Sequence, residues 1–123
     1  KSQSMSEDKQ YDLEERTLEF GKRIIRMCRA LPKNIISLKL IDQIVRSGTS
    51  IGANYREANE TITKKDFRNK IVTSLKEAKE TIYWLDLIIE ASPEFANRIL
   101  LLRKENTELV KIFAKILENS KIV

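Results

Sequence analysis

Apolar residues recur at three- and four-residue steps along most of this chain, the spacing that stacks side chains on one face of a helix. Leu13, Phe20, Ile24, Met27 and Leu31 follow it and predict a first helix from about Asp12 to Ala30, ended by Pro32. Acidic residues crowd its start and Lys22, Arg23, Arg26 and Arg29 its end, which complements the helix dipole. A second helix is predicted after Asn34 to about Ala58, with Ile41, Ile44, Gly48, Ile51 and Tyr55 on one seam. Its middle is a run of small residues, Ser47, Gly48, Thr49, Ser50, Gly52 and Ala53. Helix propensity there is poor, and a loop would split the segment in two. Ile51 and Tyr55 keep the phase set by Ile41 and Ile44, so a continuous helix is expected, its small residues admitting a neighbouring backbone.

Thr63 is placed to cap a third helix, with Asp66 at the favourable third position and the helix running to about Ala91. Phe67, Ile71, Leu75, Ala78, Ile82, Leu85 and Ile89 form its stripe. Trp84, Leu87 and Ile88 widen the apolar surface beyond what one bundle face requires, which calls for a second partner and marks them as an expected oligomer interface. Ser92, Pro93 and Glu94 signal the start of a fourth helix ending near Ser120. Phe95, Ile99, Leu102, Leu109, Phe113, Ile116 and Leu117 line its inner face, with Asn106 in phase between them.

Four helices with short connections predict an all-α, antiparallel up-down-up-down four-helix bundle over residues 12–121. Residues 1–11 are polar and read as a disordered tail or an expression remnant. With three Gly and two Pro in 123 residues, little material remains for β-turns. No apolar run approaches the roughly 20 residues of a membrane span, so no membrane association is expected. The lone Cys28, among Ile24, Ile25 and Met27, reads as a buried thiol in a reducing cytosol, which predicts a cytoplasmic protein.

Twenty-three Lys and Arg against 18 Asp and Glu give a net charge of +5, which attracts polyanions weakly. In the predicted topology Arg56, Lys64, Lys65, Arg68, Lys70, Lys111, Lys115 and Lys121 share one end of the bundle. Arg23, Arg26, Arg29, Lys33 and Arg98 share the other. Either group is suited to a phosphate backbone. The chain has no histidine, which excludes Ser-His and Cys-His catalysis, the Glu-x-x-His ligands of di-iron bundles, and helical ribonucleases built on Arg-x4-His. Neither a phosphate-cradling Gly-rich loop nor a Cys-x2-Cys pair is present, so no cofactor or metal is expected. One catalytic arrangement remains, Mg²⁺ held by Glu57 and Glu60 on one segment with Glu77 and Glu80 on the next, as in helical nucleotide hydrolases. Lys76 and Lys79 interleave the second pair in the pattern of a salt-bridged surface.

The run Arg46-Ser47-Gly48-Thr49-Ser50-Ile51-Gly52-Ala53-Asn54-Tyr55-Arg56-Glu57-Ala58, followed by Lys65-Asp66-Phe67 and Ser74-Leu75-Lys76-Glu77-Ala78, resembles the "four helix bundle protein" family. Its first members were found encoded by intervening sequences in bacterial 23S ribosomal RNA genes. The resemblance spans roughly Leu13 to Leu117 and is carried by Ser50, Ile51, Asn54 and Glu57. Tyr-Arg-Glu-Ala follows Asn54 where the family more often has Ala-Glu-Gly. The resemblance implies a ring, typically a homopentamer, without established enzyme activity. The family is also similar to the accessory variability determinant proteins of diversity-generating retroelements, pentameric barrels that bind nucleic acid and a reverse transcriptase. The expectation is therefore a non-catalytic, oligomeric RNA- or DNA-binding protein. Lys64, Lys65, Arg68, Lys111 and Lys115 are the first choice for its basic surface, and Arg23, Arg26 and Arg29 the second. The alternatives are a protein-protein adaptor with incidental charge and, less favoured, the Mg²⁺-dependent nucleotide hydrolase.

Overall fold

A computed structural model describes residues 2–121, with side chains for residues 12–121. Four helices follow one another: α1 (Ser2–Ala30), α2 (Ile35–Asn59), α3 (Lys64–Ala91) and α4 (Ala96–Asn119). No strand occurs among the described residues. The backbone of α1 is helical from Ser2, ahead of the expected start near Asp12. Helix α2 runs unbroken through its small residues.

The helix ends follow local chemistry. The Asn34 side chain accepts the Ser37 N–H at 2.9 Å, and the Thr63 hydroxyl accepts the Asp66 N–H at 3.1 Å, each satisfying a donor that the first turn leaves open. At the end of α1, the Lys33 ammonium donates to the carbonyls of Cys28, Arg29 and Leu31 at 2.8, 3.1 and 2.5 Å. Ser92 does not cap α4 as its sequence predicts. Pro93 disfavours a helical conformation at the residue before it, and Ser92 leaves the helix at φ −141° and ψ 70°. Its N–H closes α3 on the Ile88 carbonyl, and a 3₁₀ turn, Pro93–Phe95, intervenes before α4.

Contacts between consecutive helices climb on one partner as they descend on the next. Thr17 meets Gly52 and Ile24 meets Gly48 between α1 and α2. Between α2 and α3, Thr81 donates to Ser47 at 2.9 Å and Ser74 to the Ile51 carbonyl at 3.0 Å. Arg103 binds Asp86 between α3 and α4, and Arg68 reaches Leu117. The α2–α3 seam is the most extensive and α1–α4 the slightest. All four helices feed one core, which includes Phe20, Ile24, Ile44, Ile51, Ile71, Leu85, Ile99, Leu109 and Phe113.

The core face of α3 is turned away from the expected stripe. Ile71, Ser74, Ala78, Thr81, Leu85 and Ile88 are buried, while Phe67, Leu75, Ile82 and Ile89 are only half-buried. The two buried hydroxyls are tolerated because each has a partner on α2, so their burial leaves no unmet hydrogen bond. Asn106 lies wholly inside. In the amide orientation its surroundings require, it donates to the Ala78 carbonyl at 3.0 Å and accepts the Ile82 N–H at 3.2 Å.

Candidate nucleic-acid interface

Of the five cations first expected to meet phosphate, Arg68 and Lys111 are engaged within the bundle. Lys64 and Lys65 open α3 and are exposed, with Asp66 beside them. Arg68 is half-buried and donates to the Leu117 carbonyl at 2.6 Å and the Ser120 hydroxyl at 3.2 Å. Its guanidinium thus satisfies the end of α4, whose last carbonyls have no helical partner. Lys70 pairs with Glu57 at 2.6 Å, Lys111 with Glu108 at 3.5 Å, and Arg56 lies 3.8 Å from Glu14. Lys64, Lys65 and Lys115 make no ion pair among the described residues, yet acidic side chains interrupt the field around them.

The other end of the bundle is barer. Arg23 and Arg26 of α1 and Arg98 of α4 line a shallow depression of roughly 270 Å³, together with the exposed Leu101 and the buried Leu102. Arg23 is half-buried, and Arg26, Arg29 and Arg98 are exposed. Arg26 donates to Glu19 at 3.0 Å in a solvent-exposed pair. That hydrogen bond, with the charges of Arg26, Lys22 and Arg23, holds the Glu19 carboxyl below its ordinary range. Lys33 is occupied by the end of α1. From Phe20 to Ile41 the chain has no Asp or Glu, yet it carries Lys22, Arg23, Arg26, Arg29, Lys33 and Lys39. That acid-free run was the signal for this end, and grouping cations by helix terminus obscured it. Arg98 lies with them, as the predicted topology expects. Ile35, Ile36, Leu38, Leu100 and Leu101 are exposed at the same end.

The family-type motif on α2 is turned inward on its own helix. The Ser50 hydroxyl donates to the Arg46 carbonyl at 2.6 Å and the Asn54 amide to the Ser50 carbonyl at 2.9 Å. Ile51 is core and Glu57 faces Lys70. Polar side chains that bond to their own backbone in this way offer little to a ligand. Glu77 and Glu80 are not paired with the neighbouring lysines; Arg46 of α2 reaches both, at 3.2 Å to Glu77, and the Trp84 indole N–H donates to Glu80 at 2.9 Å. Among the described residues no group of three or more His, Cys, Asp or Glu is placed to hold a metal ion. No described helix is long and apolar enough to cross a membrane.

Of the expected interface residues, Trp84 and Leu87 are half-buried on α3, Trp84 edge-on to Tyr83 at 5.1 Å. Ile88 is 1% exposed and belongs to the bundle's own core, because the buried face of α3 is turned toward it. Val72 and Tyr83 are the exposed apolar residues of that helix. An apolar groove of about 250 Å³ lies between α1 and α2, where Gly21, Gly52 and Ala53 leave Leu18 and Ile25 uncovered.

The sequence profile of the 23S rRNA-intervening sequence proteins matches residues 9–115. Among solved structures, the chain is similar to a protein of unknown function from the S23 ribosomal protein family of Bacteroides thetaiotaomicron. The two are 36% identical, with a TM-score of 0.82 over 89% of this chain and 98% of that one. No curated protein sequence matches the chain.

Proposed function

The chain belongs to the 23S rRNA-intervening sequence protein family, and from that premise we propose that it is a non-catalytic, oligomeric protein that associates with RNA or DNA through a basic surface. The observation that carries this reading is the acid-free basic run from Lys22 to Lys39, joined in space by Arg98. Uncompensated cations release counterions when they meet phosphates, and that release drives sequence-independent binding. The reading moves the primary surface to Arg23, Arg26 and Arg29 and leaves Lys64, Lys65, Lys111 and Lys115 a secondary part. Exposed apolar side chains on separate faces, Leu18 and Ile25 on α1 and Val72 and Tyr83 on α3, support a bundle that is a subunit. A ring would repeat the basic end around its axis and add avidity, consistent with the pentamer the resemblance implies. The buried, unpaired Cys28 suits a cytoplasmic setting.

The test is affinity for a structured RNA over a salt series. Reversing charge in R23E/R26E/R29E is expected to weaken binding at least ~10-fold at low salt and to flatten the salt slope by roughly 0.7–0.9 for each phosphate that is no longer neutralised. The K64E/K65E/K115E variant should have a smaller effect. Unchanged affinity and slope in both variants would sink the proposal. A second reading, a structural protein-protein adaptor with incidental positive charge, draws on Ile35, Ile36 and Leu38, which are 74%, 61% and 52% exposed. It predicts RNA binding that vanishes near physiological salt while a protein partner stays bound.

A further inference from the structure

We propose that the depression between α1 and the start of α4 is a discrete phosphate site, in which the guanidinium groups of Arg23, Arg26 and Arg98 hold one or two adjacent phosphate groups. The inference rests on the nucleic-acid reading for its natural ligand but not for its chemistry. Three arginines elsewhere on this bundle are closely matched to carboxylates. Arg16 makes a two-pronged contact with Glu105 at 2.7 and 2.9 Å, Arg103 another with Asp86 at 2.8 and 3.2 Å, and Arg46 bridges Glu77 and Glu80. Three arginines line this depression and no carboxylate does; of the three, only Arg26 makes an ion pair among the described residues, with the exposed Glu19. Arg23 and Arg26 stand three residues apart on one helix, where like charges repel, and the fold adds a third from α4. An anion between them would relieve that repulsion.

The residue type, size and floor define the anion. Arginine offers a planar fork of donors that matches two oxygens of a phosphate, where lysine offers a point charge. A volume of roughly 270 Å³ lies at the small end of ligand sites, which suits a phosphate or pyrophosphate group rather than a whole cofactor. Leu102, 2% exposed, gives the depression an apolar floor, while Leu101 beside it is 63% exposed to solvent. Arg98 lies in the first turn of α4, which holds no acidic residue, so the positive end of the helix dipole adds to the field. Glu19 acts as an internal competitor, because Arg26 must leave it to contribute fully to the ligand.

The experiment titrates the full chain with inorganic pyrophosphate by calorimetry, and separately with a short single-stranded RNA in the presence and absence of pyrophosphate. Pyrophosphate is expected to bind saturably, one per chain. R23Q or R98Q should weaken it at least ~10-fold, as expected when one charge-assisted hydrogen-bonding group is removed. R98K should bind more tightly than R98Q, and K76Q, at an exposed position of α3 outside both basic groups, should bind like the parent. E19Q should bind several-fold more tightly, a gain that a misfolded protein would not show. If pyrophosphate also displaces RNA, and R98Q weakens both, the ligand is a phosphate of the RNA backbone or its end. If pyrophosphate binds through the arginines and RNA is indifferent to it, the site stands as one for free phosphates and the nucleic-acid reading loses this surface. Absence of saturable pyrophosphate binding, or an R98Q variant that binds it as the parent does, overturns the inference even where RNA still binds.

Discussion

Gly48 and Gly52 lie one turn apart on α2 and receive Ile24 and Thr17 of α1. A Cβ added at Gly52 would stand 2.9 Å from the Thr17 hydroxyl oxygen, 3.1 Å from its Cβ and 3.4 Å from its backbone carbonyl carbon. Thr17 has little freedom to yield, because its hydroxyl donates to the Leu13 carbonyl at 2.8 Å and lies 3.0 Å from that of Glu14. Gly21 is different: its added Cβ would find Thr49 at an ordinary 3.8 Å. Helix propensity favours Ala over Gly at all three positions, so packing decides the sign. G21A is expected to stabilise the chain by about 0.5–1 kcal/mol, the usual gain for a helical Gly freed of packing constraints. G52A should destabilise it by roughly 1–3 kcal/mol, the range for overpacking a tight contact. Urea denaturation of the two variants measures both, and a G52A variant as stable as the parent would show that the α1–α2 approach has slack. The small-residue stretch was legible in the sequence as a place for a close neighbour, but nothing in it named α1, because a glycine records the absence of a side chain and not what fills the space.

Periodicity located the four helices and most of the core, and it misplaced the inner face of α3. Hydropathy ranks Ile82 and Ile89 above Ser74 and Thr81, so the stripe follows the isoleucines. Burial instead follows the hydrogen bonds available across the α2–α3 seam, where Ser47 and the Ile51 carbonyl accept the two hydroxyls. Such partners belong to the assembled fold and leave no mark on either helix alone. Asn106 shows the reverse case, a polar residue whose place in the seam was visible but whose partners were not. Its amide brackets the Ala78 carbonyl and Ile82 N–H of α3, fixing how α4 slides along its neighbour. N106A would remove both bonds and leave a small cavity. The expected cost is about 1–3 kcal/mol, the range for a buried polar group left without its partner. Thermal unfolding checks it, and a loss below ~0.5 kcal/mol, typical of neutral surface changes, would mean the α3–α4 register is held by apolar packing alone. The candidate site divides along the same line. The predicted topology already placed Arg23, Arg26 and Arg98 at one end of the bundle, whereas the depression that the three line together was not legible.

At the scale of the whole molecule, two buried acids make the bundle sensitive to alkali. Burial pushes the Cys28 thiol from 9.0 up to about 11, against the opposing charge of Lys33. Burial also raises the Tyr55 phenol above its ordinary 10.0, with the charge of Glu14 adding to the effect and a hydrogen bond with Asn59 opposing it. Both groups are neutral in the folded chain and lose a proton more readily when it unfolds. Their contribution to stability is therefore complete below the unfolded values and falls away as pH rises through the folded ones. For Cys28 that window opens near pH 9 and closes near pH 11. The parent should lose stability steeply across this range, while C28A, whatever its stability at pH 7, should lose it with a shallower slope because only Tyr55 and the surface charges still titrate. Urea midpoints at pH 7, 9, 10 and 11 for both proteins supply the comparison, and parallel curves would mean that Cys28 titrates as a free thiol. A guanidinium group keeps its proton far above that range. Phosphate affinity should therefore persist to the pH at which the bundle itself opens, and its loss should coincide with unfolding rather than precede it. An earlier loss, with the bundle still folded, would assign the binding to groups other than these arginines.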